Sequence, residues 1–251
     1  MDEEPTQRTS KSRRAVAIGV ALLLASLLPV VAAIVFSEIH NTYFTGEILK
    51  QLSGDGVWHT SVDSSTDDLV VLSRFRLTSI GTSAGAMGVK ASVPKQNGDR
   101  VEQTRRVLKA MEGLKGPSIL AGDFNSPSHM DWVDENKDLN CGRAFEWPVT
   151  KMVDDNGFID SYRQLRNDSR ASPGHTWSPI YKFAGPEWGY SIPEPQTRLD
   201  YIFYKGGGLR PVKSELYQGS KALLPYPNHK ANDWPSDHAL LFTDFVFDDP
   251  P

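Results

Sequence analysis

The stretch that most restricts how this chain can fold is Ser118–Asn125, in which a short apolar segment runs directly into two polar side chains. A Gly-Pro pair precedes the segment, and its small and apolar residues predict a buried strand. Side chains alternate along extended backbone, so we expect Asp123 and Asn125 on one face and Phe124 on the other, in packing. A carboxylate and a carboxamide placed together at a strand end can hold a water molecule and a phosphate oxygen.

The composition indicates one ordinary globular domain. The chain has 251 residues, of which 39% are hydrophobic and 23% are charged, and this is enough for one large core. A single cysteine, Cys141, excludes an internal disulfide framework and a cysteine-based zinc site. The net charge of -4 and the pI near 5.9 argue weakly against a protein that coats nucleic acid, because such binding depends on excess Lys and Arg.

An uncharged apolar run, Ala15–Phe36, follows three basic residues and has three interpretations. It is long enough for a membrane-spanning helix, which would leave the bulk of the chain outside the cytoplasm. It also fits a signal peptide with Ala15–Leu28 as its core and Val31–Ala33 as the cleavage site. A proline divides the run, however, and the β-branched half Val30–Phe36 equally predicts a buried strand that delivers the carboxylate of Glu38 at its end.

The remainder of the chain mixes strands and helices without the strict alternation of a parallel sheet. This pattern favours an α+β fold with packed mixed or antiparallel sheets and outer helices. Asp160 is expected to cap a short helix that begins near Ser161. The main predicted elements are Asp68–Ser73, Val101–Leu114, Trp147–Asp155, Leu199–Tyr204, Val212–Tyr217 and Ala239–Phe247.

Three acidic motifs stand on or beside predicted strand ends: Asp123 with Asn125, then Asp200, then Asp237 with His238. Carboxylates grouped with one histidine and few cysteines suit a hard cation such as Mg²⁺ rather than zinc. Such a site hydrolyses phosphate esters by polarising the phosphoryl oxygen and positioning a water. His238 would need a carboxylate to fix its tautomer and favour its charged form, and Asp200 is the natural candidate.

Four motifs in this order carry a family resemblance: GDFN, then GHTW (Gly174–Trp177), RLDYIF (Arg198–Phe203) and SDH (Ser236–His238). The sequence resembles the endonuclease/exonuclease/phosphatase superfamily, the DNase-like metallophosphoesterases. The segment Asp68–Phe75 also matches that family's central strand. The resemblance covers roughly Val30–Phe247, so we expect an N-terminal signal or transmembrane segment at residues 1–29 and one domain at residues 30–251.

The resemblance implies a four-layer αββα sandwich, with two mixed β-sheets face to face, helices outside and a cleft at one end. It implies Mg²⁺ or Mn²⁺ as cofactor. It assigns Asp123 to orienting or deprotonating the attacking water and Asn125 to binding the scissile phosphate. It further implies that Asp200 orients His238, which stabilises the charge of the phosphorane.

The resemblance also assigns metal and substrate contacts. Glu38 fits the place of the family's metal-ligating glutamate, which closes an apolar strand, and this favours the strand interpretation of Val30–Phe36. Asp237 is expected near the metal or its waters. The expected substrate-binding residues are Asn125, Arg74, His175 and Trp177.

Two family features have no counterpart in this sequence. The family opens with a strand carrying an Asn at the metal and phosphate site, but no such Asn precedes Glu38. It also has a strand ending in a His-Leu pair, whereas the residues between Val89 and Val101 contain no histidine. Both losses would leave gaps or exposed edges in the sheets. A catalytically impaired or truncated member, which binds a phosphorylated ligand or partner without turnover, is therefore the alternative to an active enzyme.

The expected function is metal-dependent hydrolysis of phosphate esters. The substrate could be a phosphorylated small molecule, a phospholipid headgroup or a nucleic acid, and the acidic pI favours the small phosphodiesters. We expect a monomer that is membrane-anchored through the N-terminal segment, with the domain outside the cytoplasm, or secreted. Aromatic residues in the Pro- and Gly-rich loops, at the rim where substrate contacts are common, are Trp177, Tyr181, Trp188 and Tyr190.

Overall fold

The computed structural model describes residues 31–37, 59–62, 69–73, 93–114, 116–185 and 189–248. The strands in these ranges are β1 (Val31–Ser37), β2 (His59–Val62), β3 (Leu69–Ser73), β4 (Ser118–Asp123), β5 (Ile159–Asp160), β6 (Asp200–Lys205), β7 (Leu209–Tyr217) and β8 (Leu240–Phe247). The α-helices are α1 (Val93–Met111), α2 (Pro148–Asp155) and α3 (Ser161–Leu165). Short 3-10 helices occur at Asp134–Asn136 and Asn228–Ala231.

The strands form two sheets. One has five strands in the order β2-β3-β1-β8-β7, and the other has three in the order β4-β6-β5. Every strand pairing among the described residues is antiparallel. Mixed helices and packed antiparallel sheets are the α+β class that the sequence predicted.

Strand β1 confirms the strand interpretation of the second half of the apolar run. It pairs with β3 on one side and β8 on the other, in the middle of the five-stranded sheet. The possible cleavage site at residues 31–33 therefore lies inside a strand. Across the ranges that the structure describes, no helix is both long and apolar enough to cross a membrane.

The core is organised around β6, which is buried on both faces because it is the middle strand of its sheet and has layers on both sides. Its side chains alternate, as extended backbone requires. On one face, Ile202 and Tyr204 pack in one cluster with Leu241 and Phe245 of β8. On the opposite face, a second cluster joins β6 to the helices; it comprises Leu108, Val153, Phe158, Tyr201 and Phe203.

These two clusters define the layers. The first fills the space between the sheets, and the second fills the space between the three-stranded sheet and helices α1 and α2. The described residues thus supply a helix layer and both sheets of the expected αββα sandwich. Phe124 packs as predicted, with its ring centroid 5.6 Å from that of Tyr201 and 5.4 Å from that of Phe203.

The ends of the helices show local chemistry that the sequence partly predicted. Asp160 caps α3 as expected, because its carboxylate accepts hydrogen bonds from the backbone N–H groups of Tyr162 at 2.9 Å and Arg163 at 3.1 Å. Helix α2 begins with Pro148, whose missing N–H is not needed in the first turn. Helix α1 begins at Val93, earlier than the predicted Val101.

Candidate active site

The predicted acidic motifs meet at one end of the paired sheets. Strands β4 and β6 are antiparallel with Asp123 directly opposite Asp200, so the last residue of β4 faces the first residue of β6. His238 lies just before β8, in the other sheet, and its Nδ1 is 2.8 Å from Oδ2 of Asp200. The site is therefore assembled where the two sheets adjoin, from residues far apart in the sequence.

The contacts of His238 fix both its position and its charge. The imidazole and the Asp200 side chain are each about 4% exposed, and the indole N–H of Trp234 donates to the His238 carbonyl at 2.6 Å. Burial alone lowers the pKa of His238, but the charge and hydrogen bond of Asp200, with smaller effects of Asp123 and Asp237, raise it to about 9. The imidazole is consequently a cation near neutral pH, with Nδ1 engaged by Asp200.

Asn125 corrects one prediction. It does not continue the extended backbone of β4, because the strand ends at Asp123 and Asn125 adopts a φ of 46°. Its backbone N–H and its side-chain amide both donate to the Asp123 carboxylate, each at 2.7 Å. The pair is thus brought together by a turn in the left-handed region, which Asn tolerates better than most residues, rather than by strand alternation.

The GHTW segment is attached to both halves of the site. The hydroxyl oxygen of Thr176 accepts from the backbone N–H groups of Leu199 at 2.9 Å and Asp200 at 3.1 Å. The Trp177 ring lies 4.9 Å from the His238 ring, whereas His175 is exposed. The GHTW motif had pointed to His175 and Trp177 as substrate contacts, whereas the role of Thr176 in fixing the start of β6 was not predicted.

Asp237 is half-buried, and its backbone carbonyl accepts from the Ser178 hydroxyl at 3.0 Å. Strands β1 and β8 pair with Val35 opposite Leu241, so the C-terminal end of β1 adjoins the N-terminal end of β8, which follows Asp237 in the sequence. Glu38 comes directly after β1 in the sequence. Glu38, Arg74 and Trp188 themselves lie outside the described residues.

The oxygen ligands among the described residues are of the type that a divalent cation prefers, but they do not form a complete metal site. Carboxylate and amide oxygens, as in Asp123, Asn125 and Asp237, suit a hard ion. In the described ranges, however, no group of three or more His, Cys, Asp or Glu side chains is arranged to hold a metal ion. A complete site would need a further ligand, and the sequence offers Glu38 for this role.

A buried ion network beneath the site was not predicted. The Arg198 side chain is 1% exposed and lies between two carboxylates, with Nε 2.7 Å from Asp131 and Nη2 2.7 Å from Asp160. Arg163 contacts the other oxygen of Asp131 at 2.6 Å. The network joins the segment after β4, the start of α3 and the residue pair before β6, which are three of the segments that frame the site.

The opposite charges in this network stabilise each other in their ionised forms. Burial by itself lowers the pKa of Arg198, but Asp131 and Asp160 more than offset this and raise it above its ordinary value. Burial likewise raises the pKa of Asp131, yet the two arginines bring it below its ordinary value. Arg198 opens the RLDYIF motif, but sequence spacing gave no indication that it pairs with Asp131.

We expect the stability of the metal-free protein to fall as the pH rises above neutrality, because of His238. Its pKa is about 9 in the folded state against an ordinary 6.5, so the folded chain holds one more proton than the unfolded chain between these values. The stabilisation is complete below the lower pKa and is lost as the pH passes the higher one. The change is about 3 kcal/mol, measurable by urea unfolding with a chelator present.

The matched variant for this measurement is His238→Gln, which retains a polar side chain but cannot titrate. Its free energy of unfolding should lack the decline that the unmodified chain shows in this pH window. An equal decline in both proteins would mean that another group is responsible and that the imidazole is not held as a cation.

Comparisons with known proteins show the family of this chain. The sequence model of the Endonuclease/Exonuclease/phosphatase family matches residues 11–238. An uncharacterized protein of Caenorhabditis elegans is 42% identical over 131 residues, which is 52% of this chain and 41% of that protein. The chain thus spans less than half the length of this relative.

Two solved structures are similar at lower identity. An endonuclease/exonuclease/phosphatase from Beutenbergia cavernae is 16% identical, with a TM-score of 0.46 over 86% of this chain and 62% of that one. An endonuclease/exonuclease/phosphatase family protein from Bacteroides thetaiotaomicron is 20% identical, with a TM-score of 0.33 over 61% of this chain and 45% of that one. Since the family's sequence model covers most of the sequence, from residue 11 to residue 238, the chain belongs to the endonuclease/exonuclease/phosphatase family.

Proposed function

We propose that this chain is a divalent-metal-dependent phosphodiesterase. The observation that carries the proposal is the buried Asp200–His238 pair, with its 2.8 Å contact, which meets Asp123 across the β4–β6 ladder. A carboxylate, a carboxylate-oriented imidazolium and a carboxamide are the groups that hydrolysis of a phosphate ester needs: a base for water, a cation for the developing charge and a hydrogen-bond donor for phosphate.

In this proposal each described residue has one role. Asp123 orients the attacking water and accepts its proton. Asn125 has two amide hydrogens, so it can donate one to Asp123, as it does here, and the other to a phosphate oxygen. His238, held at Nδ1 by Asp200, presents its Nε2–H to the charge that develops on the phosphoryl oxygens.

Glu38 and Asp237 are the residues that we propose to hold Mg²⁺ or Mn²⁺. Their support is the adjacency of the C-terminal end of β1 and the N-terminal end of β8, together with the oxygen chemistry of the two carboxylates. When bound, such an ion would polarise a phosphoryl oxygen and offset the charge of the phosphate.

We expect hydrolysis of bis(p-nitrophenyl) phosphate that requires Mg²⁺ or Mn²⁺ and stops when a chelator is added. Glu38→Gln should raise the metal concentration needed for half-maximal activity, because it removes a charged ligand. Glu215→Gln is the matched control, since Glu215 lies on β7 and takes part in a surface pair with Lys213. A well-folded sample without turnover in either metal would contradict the proposal.

The alternative function is a family member that binds a phosphorylated ligand without turnover. It is favoured by the absence of an Asn ahead of Glu38 and of a histidine between Val89 and Val101. Titration calorimetry with Mg²⁺ and inorganic phosphate separates the two candidates: binding together with absent hydrolysis would support the alternative.

For the substrate we propose a small phosphodiester rather than long nucleic acid, with the net charge of -4 as support. For the location we propose a domain outside the cytoplasm, directed there by residues 1–29. Because β1 begins at Val31, the part of the apolar run before it is shorter than the roughly 20 residues of a spanning helix, which favours export over anchoring. Cell fractionation with N-terminal sequencing of the product would test this.

A further inference from the structure

A line of aromatic rings leads away from His238. The Trp177 ring lies 4.9 Å from the imidazole, the Tyr181 ring lies 5.8 Å from Trp177, and the Tyr226 ring lies 6.0 Å from Tyr181. Successive rings are tilted by 58°, 39° and 38°. A continuous aromatic surface therefore connects the proposed catalytic imidazole with the loop that carries Tyr226.

The outer end of this line is a stack of three rings. Tyr226 stacks with both Tyr190 and His229, with each centroid 5.3 Å away and the ring planes within 17° and 25° of parallel. The backbone N–H of Tyr226 donates to the Ile180 carbonyl at 3.1 Å, which holds this loop against the segment that bears Tyr181. We call Trp177, Tyr181, Tyr190, Tyr226 and His229 the ring ladder.

The ring ladder is not part of the hydrophobic core. Its members belong to neither of the core clusters among the described residues, and Tyr190 and Tyr226 are 39% and 43% exposed. Aromatic side chains in contact at the surface form a contiguous apolar patch, and such patches often mark a ligand-binding site. The inner ring of the ring ladder, Trp177, lies 4.9 Å from the His238 ring, so a ligand bound there would also reach the proposed site.

The chemistry of the ring ladder favours a planar polar ring over an alkyl chain. Its exposed members are tyrosines, whose hydroxyls hydrogen-bond to each other at 3.3 Å, and the Trp177 N–H donates to Glu194 at 2.9 Å. Each ring therefore presents a polar edge beside its apolar face. Nearly parallel rings of this kind stack with heteroaromatic groups, as aromatic side chains do with nucleobases.

We infer that the ring ladder is a substrate subsite that stacks a planar ring attached to the phosphate ester, such as the base of a nucleoside phosphodiester. The inference rests on the proposed function, because that function places the phosphate beside His238. The sugar of a nucleoside separates its base from its phosphate by about one step of this line of rings, so the base would lie beside Trp177 and Tyr181, the rings nearest the imidazole. Tyr226 and His229 were not among the residues that the sequence analysis considered.

The test compares two probes that differ only by the ring: thymidine 5′-phosphate and 2-deoxyribose 5-phosphate. Calorimetry on the full chain should show tighter binding of thymidine 5′-phosphate, and Tyr181→Leu and Tyr226→Leu should weaken it about tenfold without affecting the ring-free probe. Leucine retains apolar area but not a stacking face. Phe183→Leu is the control, because Phe183 is 50% exposed on a neighbouring loop segment and outside the ring ladder.

A turnover measurement separates this inference from the proposed function. The diesters are thymidylyl-thymidine and the ring-free glycerophosphocholine, which also represents a lipid headgroup. Preference for the first, reduced in the two tyrosine variants, would support the inference. Equal binding of both monoester probes, or preference for glycerophosphocholine, would overturn it. If neither diester nor bis(p-nitrophenyl) phosphate is hydrolysed, the proposed function fails, and the binding comparison still decides whether the ring ladder recognises a planar ring.

Discussion

Asp200→Asn should lower the turnover number for a phosphodiester by about 10²–10⁴-fold while leaving the protein folded. The carboxylate accepts from Nδ1 of His238 at 2.8 Å and supports the protonated imidazole, whose pKa it helps to raise. An asparagine has nearly the same shape, but it has no charge and can present an N–H to the ring. His238 would then lose its proton near neutral pH and its preferred tautomer, and with them its electrostatic role.

The control for this variant is Asp138→Asn, the same chemical change at an exposed carboxylate that pairs with Arg170 on the surface. Its turnover should equal that of the unmodified chain. The double variant Asp200→Asn/His238→Gln should be little worse than either single variant, because residues that act as a unit are not additive. Full activity in a folded Asp200→Asn protein would remove this pair from the mechanism.

Arg198→Met should destabilise the fold by about 3–5 kcal/mol, the second large effect that we expect. The substitution leaves Asp160 buried without its partner, and leaves Asp131 with Arg163 alone. An uncompensated buried carboxylate is far more costly than a missing surface pair. The free energy of unfolding in urea measures the loss.

Arg170→Met provides the matched control, since Arg170 pairs with Asp138 while its side chain is 52% exposed. Exposed pairs contribute little, so this variant should stay within about 1 kcal/mol of the unmodified chain. Arg198→Met/Asp160→Asn removes one buried charge of each sign and should recover part of the stability. If Arg198→Met lowered the free energy of unfolding no more than Arg170→Met does, the buried network would contribute little to stability.

The sequence predicted several of the strands because their residues carry local information, whereas the short strands β2 and β5 were not predicted. The run YIFY of β6 is apolar or aromatic throughout, which is expected of a strand with both faces buried. The β-branched half of the N-terminal run offered β1 as one of three interpretations, because branched side chains favour extended backbone. Asp160 was recognised as a cap because a capping residue acts on N–H groups only two and three positions away.

The arrangement of the candidate site could be predicted only in part. The motif order pointed to Asp123, Asp200 and His238, but their spacing along the chain says nothing of distance. The bend at Asn125 depends on the two hydrogen bonds with Asp123, which compete with extension of β4. The outer part of the ring ladder joins residues from separate loops, and neither loop alone predicts the stack of Tyr226 with Tyr190 and His229.

The sequence by itself determined the fold class, the apolar strands and the identity of the polar residues at their ends, since these follow from patterns within a few residues. The tertiary structure decided which of those residues meet. The strand register places Asp123 opposite Asp200, and the packing of one sheet on the other brings His238 to the same carboxylate. The pairing of Arg198 with Asp131 and Asp160 was likewise decided by packing, because a buried charge takes whichever opposite charge the fold places beside it.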